Sequence, residues 1–337
     1  MSEPPPTSAP LHVRSRLITS EPLSRRHGGS VHLVMETDQP VRSFKIRGIG
    51  RLAQQRAAAG ATELVSSSGG NAGYAAAYAG RRLGLAVTVV VPRSTTALAR
   101  RRLIDEGATV IESGASWDDA HLHALEIART RGAAYVHPFD DPEIWTGHST
   151  MIDEVAEAGV RPDGVVVAVG GGGLLCGVLE GMHRHGWTTT PVLAVETEGA
   201  ASFARSVEAG RCVTLDAITT LATTLGARRV ASAALDWSRR HPVRPWVVTD
   251  AMAVRACRAF HDDHGEWVEP SCGAALSVLY ESDDATSRWS DVLVIVCGGA
   301  GVDAEAVAGW EERLRTDGLG TESLAAETGD AKPRDDR

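Results

Sequence analysis

A two-lobed α/β fold built on parallel sheets is what the sequence predicts, and three observations carry that expectation. Short β-branched runs alternate with helical patterns of small residues along most of the chain, the rhythm of βαβ units. Two glycine-rich turns, "SSSGGNAG" at 66–73 and "GGGGLLCG" at 170–177, each follow a strand-like run and open a helix. The 337 residues, 43% of them apolar, can fill one large core or two moderate ones, and two lobes are expected. No repeat of fixed period appears.

The elements follow in order. "MSEPPPTSAP" is rich in Pro and Ser and lacks the apolar core of a signal peptide, so residues 1–12 are expected to form a disordered lead. "VHLVMETDQP" reads as a strand, and "SFKIRGIG" behind it sets Lys45 between Phe44 and Ile46. The runs "TELVS", "VTVVVP", "ATVIES", "AAYVHPF", "GVVVAVG", "VLAVE" and "DVLVIVCGG" each precede or follow a helical pattern. The helix beginning near Asn71 is alanine-rich, carries its arginines late and should stop at Gly84. The most apolar stretch, Gly164 to Val178, is too short and too rich in glycine to span a bilayer. From about Arg315 the apolar periodicity is lost, and 316–337 reads as a disordered tail, too short for a regulatory domain.

Charge and cysteine usage narrow the partners. A net charge of -9 without a basic stripe argues against nucleic acid and against a membrane surface, and for a small molecule. Cys176, Cys212, Cys257, Cys272 and Cys297 are odd in number, widely spread and without C-x-x-C spacing, which speaks against a disulfide framework and against zinc. A cytoplasmic location is expected. His121 and His123, two apart on a polar helix, share no face and read as surface groups, and Trp145, Trp246 and Trp267 read as packing residues.

The glycine turns are where chemistry is expected. Free N–H groups and the positive end of a following helix form a cradle for an anion, although a tight turn without a ligand has the same sequence. A dinucleotide fingerprint would need a third glycine where Leu175 stands, with Glu196 as its acidic partner. A P-loop fails, because no Lys-Ser/Thr pair follows. Taken singly, Lys45 could be a surface lysine, Asn71 a helix N-cap and Cys297 a buried structural thiol.

The order of the motifs changes this. "SFKIRG", "SSGGNAG", "GGGGLLCG", "VEPSCGAAL" and "VIVCGG" follow one another at the spacing of the fold-type II pyridoxal-phosphate enzymes, which the chain resembles from Pro22 to Leu314. Within that group it looks most like the serine/threonine dehydratases, and "FDDPEIWTGH", "AVETEGAASF" and "TTLGA" agree. The resemblance implies a tryptophan-synthase-β-like architecture, with 13–44 and 142–315 as the large lobe, 45–141 as the small one, and the cofactor between them.

It also implies roles. Lys45 forms the Schiff base with pyridoxal 5'-phosphate and later takes the Cα proton, as a lysine of lowered pKa can. Phe44 packs near the cofactor. Gly170, Gly171, Gly172, Gly173 and Leu174 hold its phosphate, Asn71 bonds the ring's 3'-oxygen, and Cys297 faces the ring nitrogen as an uncharged thiol. Ser68, Gly69 and Gly70, with Asn71, surround the substrate carboxylate. Gly170, Glu196, Ala200, Leu225 and Ala227 match positions that in related dehydratases give oxygen ligands to a monovalent cation such as K+. Glu269 reads as a structural anchor, and a homodimer is implied.

The implied reaction is α,β-elimination of water from L-serine or L-threonine to pyruvate or 2-oxobutanoate and ammonia. Three departures bear on it: Arg42 replaces a glycine next to "SFK", Met35 stands where a lysine is common, and "AGVD" follows "VIVCGG". They keep β-replacement open as an alternative outcome, and Arg42 is expected to alter the substrate pocket or contact a carboxylate. A catalytically silent nucleotide-binding protein is the reading from a different class.

Overall fold

A computed structural model describes residues 9–281 and 284–316. Its elements run β1 (Leu17–Thr19), α1 (Glu21–His27), β2 (Ser30–Met35), α2 (Lys45–Ala58), β3 (Glu63–Ser66), α3 (Asn71–Leu83), β4 (Ala86–Val91), α4 (Ala97–Asp105), β5 (Thr109–Glu112), α5 (Trp117–Arg131) and β6 (Ala134–Val136). They continue α6 (Pro142–Glu157), β7 (Gly164–Ala168), α7 (Gly173–Arg184), β8 (Val192–Thr197), α8 (Ser202–Ala209), α9 (Ser232–Arg240), β9 (Val243–Val248), α10 (Asp250–His264), α11 (Pro270–Glu281), β10 (Asp291–Val296) and α12 (Ala304–Thr316).

The strands form two sheets. One has six strands in the order β1-β2-β10-β7-β8-β9, the other four in the order β5-β4-β3-β6. Every pairing is parallel except that of β1 with β2. Helices cover both faces of such sheets, so the central strands are apolar on both sides, as β7 and β10 are. In the smaller sheet the alternation of side chains decides which core each residue joins: Val89 and Val91 face one cluster, and Val90 between them faces the other. Trp145 on α6 touches the core of both sheets.

The runs read as strands from the sequence are β2 to β8 and β10. Two strands were not anticipated. β1 is three residues long, and β9 carries Arg244 and Pro245 at the outer edge of its sheet, where the missing proline N–H costs no ladder bond. Gly84 ends α3 in the left-handed conformation, as expected.

Residues 9–12, expected as part of a disordered lead, lie instead against α2: the Ala9 carbonyl accepts from the Gln54 amide at 2.8 Å, and Leu11 packs on the small-sheet core. The rest of that lead, 1–8, and the tail from 317 on fall outside the described residues. No helix among the described residues is long and apolar enough to cross a membrane.

Parallel strands place their carboxyl ends at one side of a sheet, and this is where ligands bind in open α/β folds. The segments after β2, β3, β6, β7 and β10 carry Lys45, Asn71, Pro138, Gly170 and Cys297 respectively.

Candidate active site

Lys45 owes its place to a backbone splice. The segment before it is stitched to the exit of β10: the Phe44 N–H donates to the Cys297 carbonyl at 3.3 Å, the Gly299 N–H donates to the Arg42 carbonyl at 2.8 Å, and Ser43 bridges Gly298. Gly298, at φ +82°, permits the close approach, because a Cβ there would overlap the Arg42 carbonyl. Lys45 is then the first residue of α2, and its amine donates to the Pro138 carbonyl at 2.8 Å, 4.9 Å from the centre of the Phe44 ring. Burial pushes the amine down to about 8.

The turn that holds this carbonyl is itself fixed. His137 Nδ1 accepts from the N–H groups of Phe139 and Asp140, and the Trp145 indole donates to the Phe139 carbonyl at 2.8 Å. That turn lies on the glycine loop: side chains on Gly171 and Gly173 would overlap the Phe139 ring and carbonyl. Gly172, at φ +88°, is the N-cap of α7. Gly170, Gly171 and Gly172 lead into α7, whose first turn leaves its N–H groups without intrahelical acceptors, so donors cluster at a helix N-terminus.

Gly70, not Asn71, is the N-cap of α3, and its backbone lies in the extended region. Asn71 is the first helical residue, and its amide makes tertiary bonds: Nδ2 donates to Glu269 at 2.9 Å, and Oδ1 accepts from the Ala300 N–H at 3.0 Å. Ser68 and Gly69 lie half-buried beside it and Gly70 is exposed, and the Ser68 hydroxyl accepts from the Gly70 N–H.

Cys297 is buried beside Cys272. The neighbouring Cys272 thiol, with burial added, pushes the Cys297 thiol well up, which favours its neutral form. The five cysteines are free. Phe44 meets His148 edge to face, with ring centres 4.8 Å apart.

Gly170 lies against Leu225, where an added Cβ would come within 3.0 Å of the Leu225 Cα. The Leu225 carbonyl, however, accepts from the Ala227 N–H at 2.7 Å. Glu196 spends both carboxylate oxygens on the N–H groups of Phe203 and Ala204 at the start of α8, and burial pushes it up to about 8. Ala200 is buried close behind. Among the described residues, no group of three His, Cys, Asp or Glu is placed to hold a metal ion.

One expectation needs correction. His121 is not a free surface group: its Nδ1 lies 2.7 Å from the Tyr135 hydroxyl, its ring stacks on Trp117, and burial lowers its pKa. Arg42 is exposed at φ +56° and lines a groove with Arg16, Asp38, Glu266 and Trp267, where its charge helps to hold the Asp38 carboxyl down. Met35, a second departure, is wholly buried at the end of β2. Missed altogether were Pro138, Thr224 and Cys272. A backbone carbonyl has no sequence signal, while Cys272 stood in the quoted motif "VEPSCG".

Residues 9–298 match the family model described as pyridoxal-phosphate dependent enzyme. A bovine (Bos taurus) protein called L-serine dehydratase/L-threonine deaminase is 43% identical over 320 residues, 92% of this chain and 98% of its own. A mouse (Mus musculus) protein called serine dehydratase-like is 45% identical over 305 residues, 88% of this chain and 93% of its own. Among solved structures, a fungal L-serine ammonia-lyase from Rhizomucor miehei superposes with a TM-score of 0.85 at 36% identity, covering 90% of this chain and 99% of that one. With its lysine, glycine cradle and thiol assembled at the carboxyl ends of parallel strands, the chain belongs to the pyridoxal-phosphate dependent enzymes of fold type II, in the serine dehydratase/threonine deaminase family of lyases.

Proposed function

We propose that the protein removes water from L-serine and L-threonine, yielding pyruvate or 2-oxobutanoate and ammonia, with pyridoxal phosphate linked to Lys45. The observation that carries the reading is a lysine amine lowered to about 8, held 2.8 Å from the Pro138 carbonyl and next to an uncharged Cys297. The residues fit the cofactor. The N–H groups of Gly170 to Leu174 suit a phosphate, and the lowered amine suits an aldehyde.

When bound, the cofactor supplies an electron sink for the carbanion formed at Cα. The chain does the rest. Lys45 Nζ, neutral above about pH 8, takes the Cα proton, and the Pro138 carbonyl aims it. Gly170, Gly171, Gly172, Gly173 and Leu174 hold the phosphate by backbone donors without a cationic side chain. Ser68, Gly69, Gly70 and Asn71 receive the substrate carboxylate at the open end of α3. The Cys297 thiol offers the ring nitrogen a weak donor and no negative charge, which favours prompt loss of the hydroxyl over a long-lived carbanion. Phe44 packs behind the amine.

The same reading includes a small lobe of 45–141, a homodimer, a cytoplasmic location and a K+ ion near Gly170 and Leu225. Its test is a keto-acid assay on L-serine and on L-threonine without any added nucleophile. Wild type should release keto acid, and Lys45→Ala should lose at least ~1000-fold in rate, the scale expected for loss of a covalent and proton-transfer group. Keto acid appearing only when a second nucleophile is withheld from a faster replacement reaction would favour β-replacement instead. Equal rates for wild type and Lys45→Ala would end the proposal.

A further inference from the structure

Glu269, on the segment leading into α11, reaches across to the start of α3 and takes part in none of the steps above. Its Oε2 accepts from Asn71 Nδ2 at 2.9 Å and from the Thr224 hydroxyl at 3.0 Å. An amide side chain has two N–H donors and one carbonyl acceptor. In Asn71 the carbonyl is taken by the Ala300 N–H and one donor by Glu269, so one N–H remains. Turning the amide over would set its NH2 against the Ala300 N–H and its oxygen against the Glu269 carboxylate, two repulsions in place of two bonds.

We infer that Glu269 is a positioning residue, which locks the Asn71 amide so that its one remaining N–H points at the cofactor's 3'-oxygen. This rests on the role proposed for Asn71. The same carboxylate oxygen accepts from the Thr224 hydroxyl, which helps to fix the carboxylate that Asn71 meets.

The test uses full-length protein stripped of cofactor and reconstituted with pyridoxal phosphate, with three readouts: the visible absorbance maximum, the Kd of the cofactor and the Tm without it. The set is wild type, Asn71→Ala, Glu269→Ala, Glu269→Gln and the double Asn71→Ala/Glu269→Ala. Asn71→Ala and Glu269→Ala should each move the absorbance band and weaken the cofactor by about tenfold, the factor that one lost hydrogen bond of ordinary strength gives. The double variant should be no weaker than Asn71→Ala alone, because Glu269 acts through Asn71. Glu269→Gln keeps an oxygen for the amide and should recover most of the loss.

Glu269→Ala with band and Kd unchanged, beside a displaced Asn71→Ala, overturns the positioning role alone. So do losses that multiply in the double variant, or a Tm drop with an unmoved band. Asn71→Ala with no effect overturns the reading of Asn71 first. Should Glu269→Ala fail to fold, Glu269→Asp takes its place: it keeps the charge and retracts the carboxylate by one methylene, so a moved band supports the inference and an unmoved band overturns it.

Discussion

Lys45 shows how one side chain acquires chemistry from its surroundings. A lysine in water holds its proton to about 10.5, and this one lets go near 8 because burial disfavours the ammonium. The neutral amine is the nucleophile toward an aldehyde, so the rate at which cofactor-free protein takes up pyridoxal phosphate should rise through about pH 8 and level off above it, read as growth of the visible band. A rate flat from pH 7 to 9 would contradict the lowered amine. The linkage has the matching sign. Between about 8 and 10.5 the unfolded chain binds more protons than the folded cofactor-free protein, so the contribution of this group to stability grows with pH across that window. Arg42 is the counterexample on the neighbouring turn. Buried Lys45 has its chemistry set by desolvation, whereas Arg42 is an exposed non-glycine residue at φ +56° whose charge acts on Asp38 across a surface groove.

Among the elements, the loop from β7 into α7 is the most constrained. Alanine normally favours a first helical turn over glycine, but at Gly173 the added Cβ meets the Phe139 carbonyl, which the Trp145 indole already holds. Gly173→Ala should therefore destabilise the protein by about 1–3 kcal/mol, as overpacking does. It should also weaken the cofactor, since Phe139 adjoins the Pro138 carbonyl that aims Lys45. Gly309→Ala in α12 is the control: nothing lies within 4 Å of its Cβ, and helix propensity alone predicts a gain of about 0.5–1 kcal/mol. Denaturant titration of the two variants checks both signs, and a Gly173→Ala protein as stable as wild type would show that the turn yields freely.

For the molecule as a whole, Arg47 is the tie. It lies two residues after Lys45 on α2, wholly buried, and its guanidinium bonds Glu36 after β2 at 2.8 Å, Glu154 on α6 at 2.7 Å and the Ser15 hydroxyl at 3.0 Å. The opening segment, the exit of β2 and the helix that touches both cores are thus joined at one cation. Glu36 would be left buried and unpaired without it, and burial already pushes its pKa up against the pull of Arg47. Arg47→Ala should cost about 3–5 kcal/mol of stability, the scale for removing one partner of a buried pair, measured by denaturant unfolding of the cofactor-free protein. A loss below about 1 kcal/mol would mean that water replaces the guanidinium.

By itself the sequence determined the parallel α/β architecture, the strands with apolar or alternating runs, the glycine cradle and the lysine, because these depend on local periodicity, backbone freedom and the order of motifs. It did not reveal β1 or β9, whose pairing depends on neighbours rather than on their own composition. Nor did it place Pro138, a carbonyl without a side-chain signature, or separate Asn71 as cap from Asn71 as tertiary donor. Tertiary structure decided those, because a hydrogen bond spanning 198 residues between Asn71 and Glu269 exists only once the folded chain has brought those segments together. It also decided what surrounds each charge, which is what lowers the pKa of one lysine and makes one arginine a tie.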